Sequence, residues 1–101
     1  MLADPFLMKR IPADAAPLPE KVLQYCRRNV NTAVYHRLFE KLLCVKREES
    51  IEIYVSDPLR KAELRQYYSE LIRRAYAEEL GKTVRLHFTA AGNMNISPWT
   101  A

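Results

Sequence analysis

The sequence predicts an α+β domain in which three helices pack on a three-stranded sheet, in the order α-α-β-β-α-β. Apolar residues recur at helical spacing in three stretches, and they alternate strictly with other residues around Ile53. A Ser-Asp-Pro helix-start signal separates that alternating stretch from the longest helix. An apolar share of 49% and a charged share of 28% over 101 residues are typical of one globular domain.

The first two helices are predicted over residues 18–28 and 32–43. Pro19 suits the first turn of a helix, where the missing N–H would lack a partner in any case. Asn31 or Thr32 supplies the capping oxygen of the second helix. That helix carries apolar residues at i, i+3, i+4 and i+7, which form one buried stripe: Tyr35, Leu38, Phe39 and Leu42.

A β-hairpin is predicted from residues 44–47 and 51–55, because a polar turn separates two short stretches of strand-like sequence. The third helix follows over residues 58–80, with Asp57 as its cap and Gly81 just after its last apolar residue. Its predicted buried stripe is Leu64, Tyr67, Tyr68, Leu71, Ile72 and Ala75.

The last strand is predicted over residues 83–88. A strand, a long helix and another strand in succession favour a parallel pair with a right-handed crossover. The domain is therefore expected over residues 18–89, after an irregular lead-in over 1–17 and before a flexible tail or linker over 90–101. Three hypotheses remain for Trp99 in that tail: it belongs to a docking peptide, it folds back on the sheet, or it is disordered.

Composition excludes several functional classes. Phosphate-binding loops need several glycines close together, and the only two glycines of this chain stand far apart. Two cysteines are too few for a disulfide scaffold or a four-ligand zinc site, which favours a reduced, cytoplasmic setting without a cofactor. No apolar run approaches the ~20 residues of a membrane span. The net charge of +4 is compatible with nucleic acid or acidic protein as partner.

Four stretches together carry a family resemblance: residues 34–42 (VYHRLFEKL), 51–59 (IEIYVSDPL), 65–68 (RQYY) and 79–88 (ELGKTVRLHF). In this order they resemble the N-terminal domain, domain I, of the bacterial replication initiator DnaA. The resemblance covers about residues 18–90. The same fold is similar to the C-terminal domain of the clamp-loader tau subunit and to the DciA-type helicase-loader domain.

The resemblance implies a KH-like fold that serves as a non-enzymatic docking module in DNA replication initiation. Domains of this family self-associate, recruit the replicative helicase and bind regulators, and some touch single-stranded DNA weakly. Leu59 falls at the position of the helicase contact, where an exposed apolar side chain would be a natural anchor. The partner-binding surface is expected to comprise Val34, Arg37, Leu38, Asp57, Leu59, Arg60 and Glu63.

A small nucleic-acid-binding domain is the alternative. Its phosphate contacts would come from the basic helix and strand face: Lys61, Arg65, Lys82 and Arg85. Glutamates interleave with the basic residues of the third helix, where Glu70–Arg74 and Arg74–Glu78 are i, i+4 pairs, which is typical of a solvated helix face. Tyr54, opposite the apolar face of its strand, is the one tyrosine predicted to reach the surface.

A thiol enzyme is a third hypothesis, from another class. It would need Cys44 activated by His36, eight positions away. Neither His36 nor His87 has cysteines or carboxylates at ligand spacing, so no metal site is predicted. Slow alkylation of Cys44 at neutral pH would argue against this hypothesis.

Overall fold

A computed structural model describes residues 11–91 of the chain. The helices α2 and α3 each contain a π-helical turn: α2 joins Thr32–Val34 to Tyr35–Phe39, and α3 joins Pro58–Glu63, Leu64–Tyr68 and Ser69–Leu80. The remaining elements are β1 (Ala16–Pro17), α1 (Glu20–Arg28), β2 (Leu43–Lys46), β3 (Ser50–Val55) and β4 (Arg85–Ala90). The expectations for residues 1–10 and 92–101, including those for Trp99, lie outside the described residues.

The sheet has four strands in the order β1-β2-β3-β4. The β2–β3 hairpin is antiparallel and β3 pairs with β4 in parallel, which confirms the α+β class and the predicted parallel pair. The prediction of three strands is wrong, because Ala16–Pro17 pairs with β2 and places a strand before α1. A strand of two residues has no periodicity that a sequence pattern could reveal.

Local signals set the ends of the helices. The Asn31 side chain accepts a hydrogen bond of 2.8 Å from the Val34 N–H, and Asp57 does the same for the Arg60 N–H at 2.8 Å. Gly81 ends α3 in the left-handed region at φ 73°, as its position predicted. The last strand begins and ends later than predicted, and the N–H of Ala91 still donates to the Val55 carbonyl at 2.8 Å.

The main core lies between the helices and one face of the sheet. All four residues of the predicted α2 stripe are buried there: Tyr35, Leu38, Phe39 and Leu42. The predicted α3 stripe is wrong at Tyr67, whose side chain is 67% exposed. In the π-helical turn Leu64–Tyr68 each residue advances less around the helix axis, so Tyr67 stops short of the buried face.

A second, smaller cluster covers the opposite face of the sheet. Tyr54 packs there with Val45 and Ala91, under Ile11 and Ala15. The prediction that Tyr54 is a surface residue is therefore wrong, since only 5% of it is exposed. Its hydroxyl donates a hydrogen bond of 2.8 Å to Glu52, which lowers the pKa of that carboxylate. None of the helices in residues 11–91 has the length and apolar character needed to cross a membrane.

The buried hydroxyl of Tyr76 gives a test of the core. It lies beside the Cys44 thiol but makes no hydrogen bond of normal geometry within residues 11–91. We expect Tyr76→Phe to raise the free energy of unfolding by up to about 1 kcal/mol, because a buried polar group without a partner is removed. Urea denaturation measures the change, with Tyr67→Phe as the exposed control. A loss of more than about 1 kcal/mol would mean that the hydroxyl is well bonded in solution.

Candidate docking surface

Leu59 projects from the first turn of α3 into solvent, with 82% of it exposed. The Asp57 cap fixes the start of this helix, and the buried Leu64 determines which side of it faces the core. Leu64 is five positions after Leu59, which places the two on well-separated faces of the helix. Exposure of Leu59 therefore follows from helix geometry and is not a consequence of local fraying.

Tyr67 is the second exposed large apolar side chain; it and Leu59 are the only two in residues 11–91. Its ring lies 6.5 Å from that of Tyr68, whose ring meets Phe39 of α2 edge-on at 5.6 Å. Tyr67 thus rests on an aromatic row that ties α3 to α2. We call Leu59, Glu63 and Tyr67, spaced four residues apart along α3, the α3 ridge.

An ion pair joins the centre of the α3 ridge to α2. The two guanidinium nitrogens of Arg37 donate to the two carboxylate oxygens of Glu63 at 2.7 and 2.9 Å. This hydrogen bonding lowers the pKa of Glu63 and raises that of Arg37. The contact is therefore complete above the ordinary carboxylate pKa and weakens as the pH falls through the lowered value. Two residues predicted to bind a partner are brought together here.

The predicted partner-binding surface places Val34 and Leu38 of α2 beside Leu59 of α3, but this corner between the two helices is not open. Leu38 is only 3% exposed, and Val34 is half-buried against the same core. The expectation that Leu38 contributes to an exposed patch with Leu59 is thus wrong, because its helical spacing from Tyr35 turns it inward. The chain's own side chains fill the corner, and the accessible apolar surface shifts to the α3 ridge.

The basic side chains around the corner are mostly paired with carboxylates. Arg60 donates a hydrogen bond of 3.2 Å to Ser56 Oγ and lies 3.6 Å from the Asp57 carboxylate that caps α3. A small cleft of about 100 Å³ beside them is lined partly by His36, Arg37, Lys41 and Arg60. Of these four, only Lys41 has no carboxylate partner within residues 11–91, so the rim carries little uncompensated charge.

The four predicted nucleic-acid residues are only partly brought together. Arg65 and Arg85 line one groove of about 710 Å³ between α3 and β4, together with Glu70 and Arg73. Lys61 and Lys82 are not among the residues lining it. The groove is basic, but a carboxylate lies within it.

Neither cysteine has the lowered thiol pKa of an activated nucleophile. Burial raises the pKa of Cys26 from 9.0 to about 12, and it also raises the pKa of Cys44. His36 Nδ1 lies 2.7 Å from a carboxylate oxygen of Glu40, and within residues 11–91 no hydrogen bond joins His36 to Cys44. In the part of the chain that the structure describes, no three His, Cys, Asp or Glu side chains group as metal ligands would.

Comparison with known proteins identifies no relative. No protein-family model, curated protein or solved structure matches the chain. The resemblance to DnaA domain I therefore stays a prediction. The α3 ridge and the α3–β4 groove are the two candidate binding surfaces within residues 11–91.

Proposed function

We propose that this chain is a non-enzymatic protein-interaction module of bacterial DNA replication initiation, a relative of DnaA domain I with a KH-like fold. It docks the replicative helicase or an initiation regulator through the α3 ridge. The observation that carries the proposal is the 82% exposure of Leu59, at the position where the resemblance implies the partner contact. A largely exposed leucine on the first turn of a capped helix is available to a partner as an apolar contact.

The ridge supplies both an anchor and a rigid base. Burying a leucine side chain in a partner's pocket contributes roughly 1.5–3 kcal/mol, and Tyr67 adds a second large contact. The Asp57 cap and the Arg37–Glu63 pair hold the ridge in place before binding. Little conformational freedom is therefore lost at the interface.

The proposed contact is small and weak in a single copy. Two exposed side chains and a polar rim correspond to the low end of interface sizes. Several copies brought side by side by self-association would bind an oligomeric helicase with much higher avidity.

We expect Leu59→Ala to weaken capture of the purified replicative helicase by about tenfold, because it removes the apolar anchor. The melting temperature should stay unchanged, since the side chain contributes almost nothing to the core. Surface plasmon resonance with immobilised domain measures the affinity. Gln66→Ala, an exposed change on the same helix, is the matched control. Equal capture by wild type and Leu59→Ala would refute docking through this ridge.

The alternative function is a small nucleic-acid-binding domain, supported by the shared position of Arg65 and Arg85 in one groove. Only two of the four predicted phosphate contacts line this groove, since Lys61 and Lys82 lie outside it, so we favour protein docking. A salt titration separates the two functions. Phosphate-driven binding falls steeply with salt, whereas docking of an apolar anchor changes little.

A further inference from the structure

Within residues 11–91 the sheet has one long unpaired edge, on β4. The N–H of Arg85 donates to the Glu49 carbonyl at 3.1 Å, and that of Ala91 donates to Val55 at 2.8 Å. Because backbone groups alternate in direction along a strand, the N–H and C=O groups of the intervening even-numbered residues point away from β3. These residues are Leu86, Phe88 and Ala90.

The opposite edge of the sheet is poorly suited to pairing. It is formed by β1, which has only two residues, Ala16 and Pro17. Proline has no N–H to donate, and short edge strands with proline resist the addition of another strand. With six residues, β4 is long enough to accept a partner strand.

The unpaired edge of β4 borders the groove of about 710 Å³ described above. Side chains of α3 form one wall, among them Arg65, Ser69 and Arg73. Leu86 and Phe88 of β4 line the groove and pack at the margin of the main core. A chain added at this edge would therefore contact apolar side chains from β4 and basic ones from α3.

The groove has a surplus of positive charge. Glu70 is the one carboxylate that lines it, and its two oxygens are engaged by Arg73 and by Arg74. Arg65 and Arg85 form no ion pair with any other residue between 11 and 91. Arg65 on α3 and Arg85 on β4 thus give the groove two uncompensated guanidinium groups, which favour carboxylates on the ligand.

We propose that the β4 edge and its groove bind an extended acidic segment of a partner protein as an added strand. A strand edge presents donors and acceptors in turn, and another peptide backbone satisfies both. A phosphate backbone offers acceptors only, so it would leave the edge carbonyls unsatisfied. A second copy of this chain is disfavoured, because its β4 edge carries the same uncompensated positive charge, that of Arg85.

This site is separate from the α3 ridge and does not rest on the proposed replication function. The probe is a fluorescein-labelled octapeptide in which glutamate alternates with valine, and fluorescence anisotropy measures its binding. We expect saturable binding, slowed hydrogen exchange at the Leu86 and Phe88 amides, and no binding by the version with lysine in place of glutamate. Arg65→Glu and Arg85→Glu should each weaken binding about tenfold. Arg28→Glu, an exposed charge reversal on α1, should leave it unchanged.

Four results would overturn the proposal. They are no binding of the glutamate peptide, binding without slowed exchange at the β4 amides, a dimer that pairs through β4, and an oligothymidylate that binds the groove in preference to the peptide. Leu59→Ala should bind the peptide like wild type. Failure of the strand-addition site therefore remains distinguishable from failure of the docking ridge.

Discussion

Phe39→Ala is expected to lower the free energy of unfolding by about 3–5 kcal/mol, the usual cost of emptying a buried phenylalanine site. Phe39 is fully buried. Its ring stacks on Tyr35 at 6.2 Å and meets Tyr68 edge-on at 5.6 Å. The substitution removes the contact that holds α2 against α3, and the aromatic row has no neighbour able to fill the space.

Urea denaturation followed by circular dichroism measures this loss. Tyr67→Ala is the matched control, since it removes an aromatic ring from the exposed end of the same row and should change stability by less than about 0.5 kcal/mol. Phe39→Leu should retain most of the stability, because it keeps much of the volume. A loss below about 1 kcal/mol for Phe39→Ala would mean that α2 does not pack on α3 as described.

The features that follow from short-range pattern were predictable from sequence. The α2 stripe, the Asp57 cap and the Gly81 terminus each depend on residues within one or two helical turns. The parallel pairing of β3 and β4 follows from the helix that connects them. In each case the local preference and the tertiary packing favour the same conformation.

The π-helical turns could not be predicted from the sequence. The turn in α3 determines which tyrosine is exposed on the candidate docking surface. Tyr67 and Tyr68 are adjacent, and regular α-helical spacing allows both to lie near the buried stripe. The wide turn Leu64–Tyr68 keeps Tyr68 against Phe39 and turns Tyr67 outward. The only signal in the sequence was that Tyr67 and Tyr68 are adjacent at the margin of the predicted buried stripe of α3, where one of the two could turn toward solvent.

Contacts distant in sequence account for the other differences. Arg37 and Glu63 are 26 positions apart, and nothing in either neighbourhood indicates their pairing. The same holds for Ala16–Pro17 and for the cover over Tyr54, because both depend on a segment without periodicity that returns to the sheet. Sequence pattern identified Arg37 and Glu63 as surface residues but not the ion pair that they form.

The segment before α1 is therefore expected to be structural, although its sequence predicts an irregular lead-in. Ile11 and Ala15 cover Tyr54 and Val45, and Ala16–Pro17 pairs with β2. We expect removal of residues 1–17 to lower the free energy of unfolding by roughly 2–4 kcal/mol, because it exposes the second face of the sheet to water. Urea denaturation gives the magnitude, and binding of a hydrophobic dye reports the uncovered surface.

The matched control for this truncation is the chain that lacks only residues 1–10, since it keeps every residue before α1 that the structure describes. The difference in stability between the two truncated chains isolates the contribution of residues 11–17. If both unfold at the same urea concentration, the packing over Tyr54 contributes nothing in solution. If only the longer truncation loses stability and binds the dye, residues 11–17 are part of the folded domain, which then begins before Leu18. The physical reason is that an uncovered apolar face of the sheet would be exposed to water.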